Sequence, residues 1–289
     1  MSAISILLKP HLRDLGGFSV RRVLPSLAHR SVGPFIFFDH VGPARFPAGT
    51  GIDVRPHPHI GLATVTYLFG GALLHRDSLG SVQRIEPGDV NWMIAGRGIV
   101  HSERTPEAER PAGPALHGIQ TWVALPAADE DCEPSFVHHG AHTLPRAQHN
   151  GVSLHVIAGD AFGMRSPVVT FSRMLYVSAV FDAGSHLDVP PEHEQRSVYL
   201  VDGELDVDGT ALEPTQMAVL DPGIMARLSS TTGARVMLTG GAQLDGERFI
   251  NWNFVSSSRD KIERARQTWR AQTMGKVPGE TEWIPLPER

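Results

Sequence analysis

The sequence predicts an all-β fold made of two similar halves and completed by one C-terminal helix. Gly and Pro are frequent, with 29 and 22 among 289 residues, and they separate short apolar runs, as is typical of antiparallel sheets. The run TYLFGGALL at 66–74 is similar to VYLVDGELD at 198–206, which indicates an internal repeat. Helical spacing of apolar residues is confined to the C-terminus.

Short apolar runs at 16–26 and 33–40, each bounded by Gly or Pro, predict the first strands. The second run, GPFIFFDH, ends at Asp39 and His40. Their side chains either cap a turn or approach the metal pocket described next.

Two pairs of potential metal ligands lie near the ends of the stretch 55–104. His57 and His59 form one pair, and His101 and Glu103 form the other. Residues two apart in a β-strand project from the same face, so both members of each pair can point at one site. Turn sequences between the pairs would bring the two strands together. Three imidazoles and one carboxylate suit one divalent transition metal.

A structural role for these histidines is the alternative interpretation. The chain has 15 His, so pairs with this spacing arise by chance, and a single strand histidine commonly serves as a hydrogen-bonding side chain. The second pair, His101 with Glu103, favours the metal site. His75 in the same stretch is expected either behind the ligands or on the surface.

A His-rich segment at 136–150 follows the first half. Its histidines are His138, His139, His142 and His149. Gly and Pro interrupt the segment and no carboxylate has strand spacing with these residues, which favours a solvated connection over a second metal site. We therefore expect residues 1–135 to form the N-terminal, metal-binding domain and residues 136–289 to form the C-terminal domain with the helix.

The second half is predicted to lack metal ligands. The offsets between repeated motifs assign a counterpart to each of the four ligand positions of the first half. These counterparts are Val189, Pro191, Leu228 and Ser230. None of them is a good metal ligand, and His193 nearby does not make a site alone.

The segment WNFVSSSRDKIERARQTWRAQT predicts the one helix. Serines at 256–258 are candidate N-caps. Ile262, Ala265 and Trp269 recur at helical spacing, and this stripe is expected to pack on a barrel. A functional role for the helix is the less favoured alternative.

Composition narrows the classes of function. A net charge of −5 without a basic cluster argues against direct nucleic-acid binding. Cys132 is the only cysteine, so no intrachain disulfide can form, which fits a reducing compartment. No apolar stretch has the length of a membrane span, and the first apolar run is too short for a signal peptide. We expect a cytoplasmic monomer without membrane contact.

Six motifs are distributed along the chain: GPFIFFDH, HPHIGLATVTYLF, HRDSLG, PGDVNWMIAGRGIVHSE, HGIQTW and WNFVSSSRDKI. Together they resemble the pirin family, which are two-barrel members of the cupin superfamily. The resemblance implies two tandem antiparallel cupin β-barrels (a bicupin), with one iron, Fe(II), in the N-terminal barrel. The family's ligand pattern falls on His57, His59, His101 and Glu103.

The chain departs from the general cupin pattern at one point. Cupins generally place a glutamate four or five residues after the second histidine, where this chain has Ala63 and Thr64. The missing glutamate at Ala63 is expected to alter the polarity around the metal, and hence substrate preference, without removing the metal.

The resemblance also implies quercetin 2,3-dioxygenase activity, in which the central ring of a flavonol is opened and carbon monoxide is released. An octahedral metal with four protein ligands keeps about two positions for substrate and dioxygen. Glu103 would act as the base for the flavonol 3-hydroxyl. Trp92, Met93 and Phe38 either line a site for a flat aromatic ligand or simply fill the core.

A binding protein is the second hypothesis, because pirins are also described as regulators of transcription or metabolic proteins. Oxidation of the iron would then change the surface presented to a protein partner. An isomerase acting on a sugar or a small acid is the third. The same four ligands serve a dioxygenase and a redox-responsive regulator, so the sequence does not separate the first two.

Overall fold

The computed structural model describes residues 2–15 and 17–288, and that part of the chain is built almost entirely from β-strands. The strands of the first half are β1 (Ile4–Leu8), β2 (His11–Asp14), β3 (Ser19–Leu24), β4 (Phe35–Arg45), β5 (Asp53–His59), β6 (Leu62–Gly71), β7 (Leu73–Asp77), β8 (Val82–Ile85), β9 (Val90–Ile94), β10 (Ile99–Arg104), β11 (Ala115–Ala124) and β12 (Ser135–His139).

The remaining strands follow a short connection. They are β13 (Arg146–His149), β14 (Val152–Ala161), β15 (Met164–Arg165), β16 (Met174–Phe181), β17 (Ser185–Val189), β18 (Gln195–Gly203), β19 (Leu205–Val207), β20 (Thr210–Leu212), β21 (Met217–Leu220), β22 (Ala226–Ser230), β23 (Ala234–Gly241), β24 (Phe249–Asn251) and β25 (Phe254–Ser256). Short 3-10 helices span Glu107–Ala112 and Ala141–Thr143, and one α-helix, α1, spans Arg259–Arg270. No helix in the described residues is long and apolar enough to cross a membrane.

These strands pair in antiparallel sheets. The sheet orders are β1-β21-β18-β23-β16-β14-β13 with β15 beside β14, β17-β22-β19-β20, β12-β9-β6-β11-β4-β3-β2, β5-β10-β7-β8, and the hairpin β24-β25. The predicted all-β class, with two antiparallel barrels and a C-terminal helix, is confirmed.

The chain divides into two compact units, each made of three segments. The C-terminal-barrel unit contains Met1–Arg13, Arg21–Asp39 and His142–Leu244. The N-terminal-barrel unit contains Asp14–Val20, His40–Ala141 and Asp245–Arg289. Neither unit follows the boundary expected at residue 135, because each takes segments from both halves of the chain. β1 pairs with β21, and the residues after Leu244 return to the first barrel.

Helix α1 packs through the apolar stripe predicted from the sequence. Ile262, Ala265 and Trp269 are buried in a cluster with Ile60 and Val100. These two neighbours directly follow His59 and directly precede His101, so the helix supports the strands that carry the candidate ligands. Burial of such a stripe is the main source of stability for a helix of this length.

The start of α1 is held differently from the predicted side-chain cap. Ser258 is the N-cap residue and has an extended backbone, but its side chain makes no capping hydrogen bond. Its backbone N–H instead donates to Ser256 Oγ at 3.0 Å. The serine run therefore stabilises the turn before the helix, while the first helical turn lacks a side-chain acceptor from Ser258.

The arm after α1 is fixed on the outer face of β5 and β10. Ile284 donates its N–H to Pro56 O at 2.8 Å, and Trp269 Nε1 donates to Ile284 O at 3.0 Å. The Glu280 carboxylate accepts from Ser102 Oγ and, at 2.6 Å, from Arg104 Nη2. Pro56 and Ser102 alternate with the histidines along their strands, so the arm contacts the face opposite the ligands.

Replacement of Trp269 by alanine is expected to lower the free energy of unfolding by about 3–5 kcal/mol, because a fully buried indole leaves a cavity. Urea denaturation of metal-free protein, followed by circular dichroism, measures this loss. Arg270→Ala is the matched control, since its exposed neighbouring side chain is expected to change the free energy by only about 0.5 kcal/mol. Equal losses in both variants would contradict the packing role of Trp269.

Candidate metal centre

Three histidines converge because β5 and β10 pair in a definite register. β5 carries His57 and His59, and His101 on β10 lies directly opposite His57. Side chains of directly opposed residues lie on the same face of a sheet. One ligand atom from each of these three buried residues lies within 4.8 Å of the others. The predicted convergence of the three imidazoles is therefore present in the structure.

Each of the three rings uses one nitrogen for a hydrogen bond behind the site. His57 Nδ1 donates to Arg55 O at 2.9 Å, and His59 bonds to the backbone of Asn253. His101 Nδ1 lies 3.4 Å from His75 Nδ1. The ring nitrogens His59 Nδ1 and His101 Nε2 are buried and have no hydrogen-bond partner within the part of the chain that the structure describes. Buried polar atoms rarely lack a partner, so these two require one.

The three imidazoles are held in the neutral form. Burial lowers the pKa of His59 and His101 far below the ordinary value, and neighbouring rings lower it further. Burial also lowers the pKa of His57, although the hydrogen bond to Arg55 and the charge of Glu103 oppose this. Neutral imidazoles offer the lone pair that metal coordination requires.

Glu103 lies beside the histidines but is held by other contacts. A bulge between His101 and Glu103 shifts the pairing with β5, so that Glu103 opposes Val54. Gln120 Nε2 donates to Glu103 Oε2 at 3.0 Å, and Thr66 Oγ1 donates to Oε1 at 3.1 Å. The group of ligand atoms within 4.8 Å comprises only the histidines among the described residues. A fourth metal bond from Glu103 stays a prediction.

The donor set fits a divalent transition metal. Glu103 is buried, and no lysine or arginine that the structure describes forms an ion pair with it. A buried carboxylate without a cation is unfavourable. Three neutral imidazoles, two of them with a buried ring nitrogen that lacks a partner among the described residues, and one carboxylate without a cation supply the ligands and the charge that such a metal prefers. His57, His59 and His101, together with Glu103, are therefore the residues that would hold it.

The inner wall of this barrel is defined by strand pairing around β6. Thr64, on the same face as Thr66, opposes Met93 on β9 and Trp122 on β11. The Trp122 ring meets the His59 ring edge-on, with centroids 5.2 Å apart. Ala63 projects from the opposite face, so the expectation that it alters the polarity around the metal is wrong. The inward position belongs to Thr64.

The three residues proposed to line a site for an aromatic ligand do not share one face in the structure. Met93 faces inward with Thr64 and Thr66, whereas Trp92 alternates with it and faces the other side. Phe38 packs against Tyr199 in the C-terminal-barrel unit, with ring centroids 4.7 Å apart. Core filling is thus the role of Trp92 and Phe38, and only Met93 faces the metal side.

Several other histidine and carboxylate groups have structural partners. Asp39 lies within β4 and accepts two hydrogen bonds of 2.8 Å from Arg22, so it pairs with a guanidinium and does not cap a turn. His40 Nε2 lies 2.8 Å from His117 Nε2. His138 Nδ1 is paired with Asn91 Oδ1 at 2.8 Å.

The C-terminal barrel has apolar residues where the N-terminal barrel has its three histidines, and Ser230, the counterpart of Glu103, donates from its Oγ to Glu204 O at 2.6 Å. Leu187 on β17 opposes Leu228 on β22, and Val189 opposes Ala226. With Leu228 in the place of His101, strand pairing puts Leu187 in the place of His57 and Val189 in that of His59. The two offsets taken from the sequence are therefore inconsistent with this pairing, because they match Val189 with His57 and Leu228 with His101, whereas Leu228 opposes Leu187. Leu187, Val189 and Leu228 all belong to the barrel's buried apolar core.

The polar residues that support the ligands are not among those predicted from the sequence. Thr66 and Gln120 bond Glu103, and Asp77 bonds His75, which is buried behind His101 and not on the surface. His75 and Asp77 have the same two-residue spacing as the ligand pairs, which is a signal that could have identified them. Gln120 carried no local signal, because its contact depends on the pairing of β11 with β6.

Comparison with known proteins gives consistent matches over most of the chain. The Pirin family model matches residues 17–123, and the model of the pirin C-terminal cupin domain matches residues 176–275. A pirin-like protein of Caulobacter vibrioides is 48% identical over 290 residues, which covers 99% of this chain and 100% of that protein.

Solved structures share the fold. The crystal structure of quercetin 2,3-dioxygenase from Acinetobacter baumannii has a TM-score of 0.91 at 34% identity, covering 98% of this chain and 95% of that one. The bacterial pirin YhhW of Escherichia coli, solved in complex with nickel(II), has a TM-score of 0.65 at 18% identity, covering 83% and 99%. At that identity the second likeness concerns the fold alone.

We expect one metal ion per chain, bound in the N-terminal barrel, because the positions of the other barrel that match the three histidines are apolar. Elemental analysis of the purified protein measures the ratio. His57→Ala is expected to lose most of the metal. His193→Ala is the control, since this buried histidine of the C-terminal-barrel unit bonds to Asp160 O at 2.8 Å. Two metal ions per chain, or full occupancy in His57→Ala, would contradict the assignment.

Proposed function

This chain belongs to the pirin family, and from that premise we propose that it is a metal-dependent dioxygenase that opens the central ring of flavonols such as quercetin with release of carbon monoxide. The observation that carries the proposal is the buried group of three neutral imidazoles beside a carboxylate without a cation. The likeness to the Acinetobacter enzyme supports the flavonol as substrate class.

Fe(II) is the proposed metal, held by His57, His59, His101 and Glu103. When bound, such a metal supplies Lewis-acid and redox chemistry that brings a flavonol and dioxygen to reaction. The chain keeps the three imidazoles neutral through burial and orients each by one hydrogen bond on its far side. Ligands oriented in this way need little rearrangement to bind the metal.

Glu103 is the proposed base. Ring opening adds two oxygen atoms and expels one ring carbon as carbon monoxide, and it begins with loss of the flavonol 3-hydroxyl proton. Glu103 only accepts hydrogen bonds in the structure, from Thr66 and Gln120. These two contacts orient both carboxylate oxygens, so a proton can be taken up without reorienting the side chain.

Trp122 and Met93 are the proposed apolar contacts for a flat aromatic substrate. Both oppose Thr64 across the sheet and so share the face that carries the metal site. Apolar side chains with a few placed polar groups are the usual lining of a small-molecule site. Here the polar groups are Thr64, Thr66 and Gln120.

Glu103→Gln is expected to weaken iron binding and to lower quercetin turnover by a further factor of about 10²–10⁴ at equal metal occupancy, because the amide cannot accept the proton. Metal content and turnover are measured on the same iron-reconstituted samples. Glu130→Gln is the matched control, since Glu130 is a buried carboxylate of the same unit that bonds to Ser256 and Ser257. Wild-type turnover in fully loaded Glu103→Gln would disprove the base assignment.

Carbon monoxide release separates the dioxygenase from a redox-responsive binding protein. Iron-loaded protein is expected to release it from quercetin only with oxygen present and in proportion to metal content, because the reaction requires both. Gas chromatography of the headspace measures the release, and His101→Ala is the control. Release no greater than in His101→Ala, together with partner binding that differs between ferrous and ferric protein, would favour the binding protein.

A further inference from the structure

A chain of three buried polar side chains runs behind the metal centre. Asp77 Oδ2 lies 2.9 Å from His75 Nε2, and His75 Nδ1 lies 3.4 Å from His101 Nδ1. Asp77, His75 and His101 are all nearly inaccessible to solvent. Asp77 and His101 are also directly opposed across the pairing of β7 with β10. Water therefore does not compete for these hydrogen bonds, and each proton position is fixed by the neighbouring group.

Asp77 sets the direction of the hydrogen bonds that link these three side chains. Its Oδ1 accepts from the backbone N–H groups of Leu79 and Ser81, at 2.9 and 3.0 Å, within the turn from β7 to β8. Burial alone would raise the pKa of Asp77, but the hydrogen bonds from His75 and Ser81 outweigh it and the net shift is downward. Asp77 is therefore a carboxylate that accepts on both oxygens.

Each proton position follows from the acceptor before it. Because Asp77 Oδ2 accepts, His75 donates from Nε2, which leaves its Nδ1 to accept from His101 Nδ1. His101 must then carry its proton on Nδ1 and donate it to His75. This leaves a lone pair on His101 Nε2, the buried atom without a hydrogen-bond partner. The neutral tautomer with its free lone pair at Nε2 is the one that binds a metal there.

The ring of His75 is held in the orientation that the hydrogen bonds from His101 to His75 and from His75 to Asp77, here called the relay, require. Phe136 stacks on it, with ring centroids 4.1 Å apart and planes inclined by 10°. The turn that carries Asp77 is also tied to the ligand strand, because Ser78 N–H donates to Val100 O at 2.8 Å and Val100 N–H donates to Ser78 Oγ at 3.1 Å. The neighbours of His101 thus keep a fixed position relative to its ring.

We propose that Asp77 and His75 are positioning residues that hold His101 in the tautomer whose Nε2 binds the metal. The inference rests on the metal site proposed above but not on the reaction performed there. It assigns a function to the HRD sequence at 75–77 that packing alone does not require.

The substitution Asp77→Asn is expected to reverse the relay. The two turn N–H groups would hold the amide oxygen at the Oδ1 position, so the amide nitrogen would face His75 Nε2 and donate to it. His75 would then carry its proton on Nδ1 and donate to His101 Nδ1. The His101 proton would move to Nε2 and block the metal lone pair. The same exchange of carboxylate for amide produces the wrong histidine tautomer in serine proteases.

The tautomer is measured directly on metal-free protein. Long-range ¹H–¹⁵N correlation spectra of ¹⁵N-histidine-labelled protein distinguish Nδ1–H from Nε2–H rings, and His101→Ala identifies the His101 signals. Wild-type His101 is expected as Nδ1–H and Asp77→Asn His101 as Nε2–H. An Nε2–H form in the wild type, or an Nδ1–H form retained in Asp77→Asn, overturns the proposal.

Metal affinity is measured by titrating metal-free protein with Co²⁺ and following its visible absorption. Asp77→Asn is expected to bind about 10- to 100-fold more weakly than wild type. His75→Phe keeps the stacking on Phe136 but leaves the His101 tautomer free, so its loss is expected to be smaller. The double variant is expected to match His75→Phe, because the misdirecting donor no longer reaches His101.

The double variant separates the relay from simple loss of negative charge. Loss of charge or of fold would weaken binding by the same factor in both backgrounds, and this additivity would overturn the proposal. Glu130→Gln removes a buried carboxylate of the same unit outside the relay and is expected to leave the Co²⁺ affinity and the His101 tautomer unchanged. Failure of wild type to bind Co²⁺ would instead disprove the metal site itself.

Discussion

The antiparallel register between β5 and β10 is the constraint on which the metal centre depends. Side chains alternate between faces along a strand, so a slip by one residue would turn His57 and His59 outward. The register is supported from the opposite face, where α1 packs on Ile60 and Val100 and the C-terminal arm bonds to Pro56. Helix and arm therefore serve the site although neither contributes a ligand. This explains why the last segment of the chain belongs to the N-terminal-barrel unit.

The same arrangement of strands can enclose either polar, ligand-forming side chains or apolar ones. In the C-terminal barrel, Leu187 and Leu228 occupy the positions of His57 and His101, and they are buried among other apolar side chains. Ladder hydrogen bonds between strands use only backbone groups, so the pairing does not depend on which side chains project inward. Apolar residues at these positions need no partner, whereas imidazoles there need a metal or a hydrogen bond.

The sequence predicts those features that depend on residues close together in the chain. The two-residue spacing of His57 and His59, and the helical spacing that ends at Trp269, are local and were found from pattern alone. The contact of Gln120 with Glu103 was not, because it depends on which strands pair and in what register. The bulge after His101 and the pairing of β1 with β21 are likewise decided by turns and partners far along the chain. The sequence offsets for His57 and His101 likewise disagree with the strand pairing of the C-terminal barrel, where Leu228 opposes Leu187 and not Val189.

Two buried carboxylates of the N-terminal-barrel unit, Glu130 and Glu103, differ in how their negative charge is balanced. Glu130 accepts from Ser256 and Ser257, and Arg248 Nε lies 3.2 Å from it, so its charge is balanced within the protein. Glu103 is also buried, but among the described residues it accepts hydrogen bonds only from the neutral groups of Thr66 and Gln120. Arg248 balances the charge of Glu130, whereas Glu103 lies beside three neutral imidazoles. A bound cation would therefore balance the charge of Glu103. The absence, among the described residues, of a lysine or arginine beside Glu103 is thus an argument for a cation next to these three imidazoles that is separate from the spacing of the ligands.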